Sequence, residues 1–175
     1  VKKGYIDDRR EEEPHPHLTE FMEFLPAVQK ESPRGEVLIS VSYLDELLRR
    51  ILLAFFVNDQ RHAQLVDNAN APLGTFSSRI NACEALGLIR PREAEELHRM
   101  RKIRNRFSHE VHVSFNDQQI GDLCANLAYK APDYGDVVLT SRAQFGSATS
   151  ALILHLVNRA ARVSFERRQH QDWPY

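Results

Sequence analysis

The chain has 175 residues, a hydrophobic fraction of 42%, a charged fraction of 27% and a formal net charge of -1. These values predict a single soluble domain with room for a substantial core. They exclude a global electrostatic drive toward nucleic acid, although a local basic patch remains open. Cys83 and Cys124 sit in apolar patterns without a ligand partner at short spacing. That predicts reduced core thiols in a cytoplasmic protein, and neither a disulfide framework nor a metal set. No apolar run reaches the ~18 residues of a membrane span, and the charged opening residues do not make a signal peptide.

Residues 1–16 are charged and carry Pro14 and Pro16, which predicts a flexible N-terminal arm. A helical domain is expected over 17–171. Leu18, Phe21, Phe24, Leu25 and Val28 follow helical spacing up to Gln29, and Pro33 breaks the chain. Val37, Val41, Leu44, Leu48, Ile51 and Phe55 then step by three or four, with Leu38, Leu47 and Leu52 widening the stripe. A stripe this wide predicts a central helix buried on more than one side. Asp45 and Glu46 interrupt it, either as a solvated edge or as carboxylates paired with an arginine from elsewhere.

Residues 58–70 are polar and predict a short helix or loop. Thr75 is placed to cap a helix whose face carries Phe76, Ile80, Cys83 and Leu86, with Gly87 ending it. Pro91 suits the first turn of the next helix. Glu93, Glu95 and Glu96 lie at its start; Arg99, Arg101, Lys102, Arg104 and Arg106 lie toward its end, complementing the macrodipole. Asn116 or Asp117 is placed to cap a helix with Ile120, Leu123, Cys124 and Leu127. Pro132–Gly135 predicts a loop, and a long last helix bears Phe145, Thr149, Leu152, Leu156, Ala160 and Val163. Val137–Leu139 is too short to build a sheet. The expected class is all-α, a single-domain bundle of about six or seven helices.

The segment Arg101–His109 resembles a site more than any other stretch. At 100° per residue from Leu97, Met100, Ile103 and Phe107 cluster between roughly 240° and 300°, the buried side. Arg104 falls near ~340° on its flank, beside Arg101 and Ser108 at ~40° and ~20°. Arg106, at ~180°, is expected to be solvated surface, and a helix ending near Ser108 leaves His109 free to turn toward Arg104.

The run Ala71-Pro72-Leu73-Gly74-Thr75-Phe76-Ser77-Ser78-Arg79-Ile80, followed by Ala85-Leu86-Gly87-Leu88-Ile89, resembles the PLG…GLI block of the mannitol operon repressor family. Ile103-Arg104-Asn105-Arg106-Phe107-Ser108-His109 is similar to a second element of that family. Leu44–Leu48 and Ser114–Ile120 are similar to a third and a fourth. The resemblance implies an all-helical bacterial regulator, a repressor of sugar-alcohol uptake genes. No helix-turn-helix with a basic recognition helix and no zinc-finger spacing accompanies it, so a regulatory protein partner is expected rather than direct operator reading. A homodimer is the family-level expectation.

The Arg104-Asn105…His109 element also resembles the HEPN nucleases, which implies an alternative: metal-independent RNA cleavage at a composite dimer site. Arg104 would hold the scissile phosphate and His109 would move the proton. Comparable Arg–His spacings occur elsewhere, as at Arg92–His98 and Arg106–His112, so what distinguishes Arg104 is the polar Asn105 directly after it and its place at a helix end inside a family block, not the spacing. For the regulator, the candidate binding residues are Arg101, Arg104, Asn105, Ser108, Asp45 and Glu46. His109 and His112 are three apart, not the four of a helical zinc pair. No Walker loop, dinucleotide fingerprint or nucleophile elbow occurs, and no cofactor is expected.

Overall fold

Helix formation follows the apolar spacing along the chain; the computed structural model describes residues 16–133 and 135–174. In chain order the elements are α1 (Pro16–Gln29), α2 (Pro33–Phe55), α3 (Gln60–Ala63), α4 (Phe76–Ala85), α5 (Pro91–His109), α6 (Gln118–Ala125), α7 (Ser141–Leu156) and α8 (Arg159–Val163). A 3-10 turn, Ser164–Glu166, follows. The protein is an all-α single-domain bundle, without strands among the described residues. The expected arm lies outside the described residues except for Pro16, where α1 begins. No described helix is long and apolar enough to cross a membrane.

Local chemistry accounts for the helix ends. Ser32 accepts from the Gly35 N–H at 3.1 Å, with Pro33 opening α2. Thr75 and Ser78 form a reciprocal capping box at the start of α4. Gly87 ends α4 at φ 71°, and the Leu88 and Gly87 N–H groups bond the Cys83 and Glu84 carbonyls at 2.8 and 2.9 Å. This is the left-handed closure that glycine adopts without a Cβ clash. Leu86, expected on the buried face, is 44% exposed because it is already the cap. Asp117 occupies the cap position of α6, yet its carboxylate accepts from Ser114 N–H at 2.9 Å instead of from the helix. The long last helix is interrupted: Asn158, at φ -90° and ψ -6°, separates α7 from α8.

The wide stripe puts α2 at the centre, against α1, α4, α5, α7 and α8. Leu44, Leu48, Ile51 and Leu52 are fully buried, as are Leu97, Met100 and Ile103 of α5. Each such side chain contributes about 1.5–3 kcal/mol by leaving water. Cys83 and Cys124 are free and buried, and burial pushes both thiols up to about 12.

Two glutamates of the first α5 turns are not macrodipole complements on the surface. Glu93 is 1% exposed; it accepts from Arg159 Nη1 and Nη2 at 2.6 and 2.8 Å and from the Arg90 N–H at 2.8 Å. Glu96 is fully buried and accepts from the Ala128 and Tyr129 N–H groups, both at 2.9 Å. They tie α5 to α8 and to the loop after α6.

Burial opposes ionisation of Glu93, but the hydrogen bonds from Arg159 and the Arg90 N–H outweigh it and hold the carboxyl below its ordinary value of 4.5. A carboxyl lowered on folding contributes stability above its unfolded value, and that contribution is lost as pH falls through the folded value. Arg159→Ala is expected to cost roughly 3 kcal/mol at neutral pH by leaving a buried charge unpaired. In urea denaturation the gap between wild type and variant should narrow as pH falls below 4.5. A gap independent of pH would contradict this assignment.

Candidate functional site

The second half of α5 lies across α2 and α4. Its buried side matches the helical phase, with Met100, Ile103 and Phe107 sealed in the core. Arg101, Arg104, Asn105 and Ser108 are all half-buried along the border. Ser108 Oγ donates to the Arg104 carbonyl at 2.8 Å, a bond within the helix. Arg104 Nη1 reaches Asn105 Oδ1 at 3.3 Å and forms no ion pair among the described residues. Its side chain shares a recess of about 20 Å³ with Val41, Ser42, Asp45 and Phe76. The volume suits a water-sized group and not a substrate.

Asp45 and Glu46 do not act together. Asp45 Oδ1 accepts from Arg79 Nη1 at 2.6 Å, and Arg79 also donates from Nε to the Leu73 carbonyl at 3.0 Å and from Nη2 to the Val66 carbonyl at 2.7 Å. One arginine, 9% exposed at its side chain, thus ties α2, α4 and the loop between them. Burial pushes the Asp45 carboxyl above its ordinary value, against the hydrogen bond and charge of Arg79 and the more distant charge of Arg104. Glu46 accepts instead from Arg50 Nε at 3.1 Å, and Arg50 pairs with Glu20 of α1 at 2.9 Å. Glu46 therefore belongs to the α1–α2 contact, so the candidate binding set divides between separate contacts.

Arg106 is not the plain solvated side chain the helical phase suggests. Its guanidinium is clasped by both Glu110 oxygens, at 2.8 and 2.9 Å, and bonds Gln119 of α6. Arg34 of α2 donates to the Glu110 and Val111 carbonyls at 2.6 and 2.9 Å, fixing the chain just after α5. His109 is the last residue of α5 and is exposed, without a hydrogen bond among the described residues. His112 is exposed as well, and no group of three metal-ligating side chains converges among the described residues.

The free cations on this face are Arg101 and Arg104, neither ion-paired among the described residues; Lys102 is exposed on another side of the helix. Arg101 Nε is buried without a hydrogen-bond partner. The Arg101 charge reaches His98: burial, then that charge, lower its imidazole below the ordinary value of 6.5. His98 Nε2 lies 3.1 Å from Asn81 Oδ1 of α4. The face is therefore a positive, partly desolvated strip along α5, suited to a carboxylate- or phosphate-bearing surface.

Sequence reasoning passed over Arg79 as a structural residue, although it lies three residues after Phe76 and four before Cys83, on the apolar face of α4. A charged residue on such a stripe marks a buried pairing. Arg79→Met is expected to cost on the order of 3 kcal/mol, because Asp45 and two carbonyls lose their donor. Arg104→Ala should cost less than about 1 kcal/mol, having no ionic partner. Chemical denaturation reads both; equal losses would place Arg104 in the structural framework.

No protein-family model and no curated protein matches the sequence. Among solved structures, the chain is similar to one in the X-ray structure of the MtlR–HPr complex from Escherichia coli, with a TM-score of 0.59 and 21% identity. The match covers 85% of this chain and 99% of that one. The protein thus has an MtlR-like fold.

Proposed function

We propose that this chain is a bacterial transcriptional regulator of the repressor type that works through protein–protein contacts, as a cytoplasmic homodimer. The observation that carries this reading is the fold, which spans nearly the whole of a chain whose structure was determined in complex with a protein, HPr. The motif blocks resembling the mannitol operon repressor family support it from the sequence. The border carrying Arg101 and Arg104 supplies a surface for a partner. Its cations are not consumed by ion pairs among the described residues, so their charge is available to an incoming acidic group. The alternative, a metal-independent ribonuclease, would set the Arg104 and His109 of two protomers facing each other across a shared cleft.

Capture of the intact protein from its own cells, analysed for both protein and RNA, is the direct test. A discrete protein partner is expected. Arg104→Glu should weaken its capture at least tenfold, about 1.4 kcal/mol, while thermal stability changes little. Tight, sequence-specific binding to operator DNA with no partner present would overturn the protein-contact mechanism. RNA cleavage abolished by His109→Ala would instead establish the ribonuclease. Sedimentation at micromolar concentration tests the dimer, and a monomer there would remove it.

A further inference from the structure

A cavity lies away from the α5 border, between α1, α2 and α7. It is open to solvent and offers about 570 Å³, within the range of roughly 300–1,000 Å³ that small-molecule sites occupy. Phe24, Leu25 and Val28 of α1 form an apolar wall, and Glu36, Ser40 and Ser150 line the cavity from α2 and α7.

Glu36 is 8% exposed and Ser40 2% exposed. Three carboxylates in the described residues are buried to this degree, and they differ in one respect. Glu93 and Glu96 have both oxygens hydrogen-bonded. Glu36 has only Oε2 engaged, by Arg142 Nε at 2.6 Å. Its Oε1 accepts no hydrogen bond among the described residues, nor does Ser40 Oγ make one. Neither atom is among those sealed from solvent without a partner, so both open to the cavity. An accessible carboxylate oxygen with no partner in the chain is an acceptor for an incoming donor, and this one is held in place: Arg142 is itself anchored on the Glu31 carbonyl at 3.1 Å. Gly146 of α7 leaves the space in front of Oε1 clear, since a Cβ there would come within 3.2 Å of it.

The charge pattern selects the ligand. Arg142 already opposes the Glu36 charge, so the site has no net charge to offer an ion. An anion would meet Oε1, and a cation would meet the guanidinium. What remains is one acceptor, Oε1, beside the hydroxyls of Ser40 and Ser150, each able to donate and accept, opposite an aliphatic and aromatic wall. We propose that the cavity between α1, α2 and α7 binds a small neutral molecule, hydroxylated at one end and aliphatic at the other, with Glu36 Oε1 and Ser40 Oγ as its polar anchors. This site is independent of the protein-contact reading of α5.

The test uses the full chain, isotope-labelled, titrated with 1,2-hexanediol and followed through backbone amide shifts. Hexylammonium and hexanoate serve as the cationic and anionic counterparts of the same chain length. The diol should give saturable shifts at Ser40, Gly146 and Ser150, and should bind more tightly than either ion. Ser40→Ala, which removes one anchoring hydrogen bond, should weaken the diol about fivefold with unchanged thermal stability. Gly146→Ala should weaken it as well, by crowding Oε1, while the rest of the amide spectrum is preserved. Shifts that fail to saturate, that map outside the cavity, or that survive both substitutions would overturn the proposal. Tighter binding of hexylammonium or hexanoate would overturn the ligand class.

Discussion

The burial of acidic side chains at the contacts of α2 and α5 is the constraint on which the rest of the packing depends. A helix surrounded by five others has little solvated edge on which to leave a carboxylate, and an unpaired buried charge costs several kcal/mol. Here most of the carboxylates are met by arginines from different elements, and Glu46 by an arginine of its own helix that also reaches α1. Glu36 meets Arg142 of α7, Asp45 meets Arg79 of α4, Glu46 meets Arg50, which also holds Glu20 of α1, and Glu93 of α5 meets Arg159 of α8. Hydrophobic contact between helices tolerates sliding and rotation; a bidentate or charge-assisted pair does not. These pairs therefore set the register in which the apolar faces meet.

The same pairing leaves some cations uncommitted. Arg79 takes Asp45, so Arg104 is not required as its counter-ion. Glu110 takes Arg106, and Glu95 and Glu96 take Arg99. Arg101 and Arg104 are the cations on the core border of α5 that this allocation leaves without a carboxylate among the described residues. A strip of leftover charge beside the core is more rigid than a charged loop, because its backbone belongs to a buried helix. Rigid presentation lowers the ordering cost of binding a partner. Glu36 is the complementary case: a buried carboxylate that the allocation satisfies on one oxygen only.

Much of the helix pattern was legible in the residues. The caps at Thr75 and Gly87, the proline at the start of α5 and the wide α2 stripe all depend on neighbours within a turn or two. The phase of α5 also predicted correctly that Met100, Ile103 and Phe107 face the core while Arg104 sits on the border. The break at Asn158 was not legible, because the apolar period continues through it from Leu156 to Ala160. The roles of Glu93 and Glu96 were hidden by a second valid reading, since acidic residues at a helix start are also favoured electrostatically.

The amino-acid sequence by itself determined the all-α class, the order of the main helices and the side of each that is buried. Those properties arise from local spacing and short-range capping, which are written within a few residues. Only the tertiary structure decided which arginine serves which carboxylate. Asp45 and Arg79 are 34 positions apart, Glu93 and Arg159 are 66, and Glu36 and Arg142 are 106. An arginine carries no label for its partner; its choice is made by the helix packing that brings two side chains together out of water. That choice determined which members of the Arg101–His109 segment are tied into the packing and which are not.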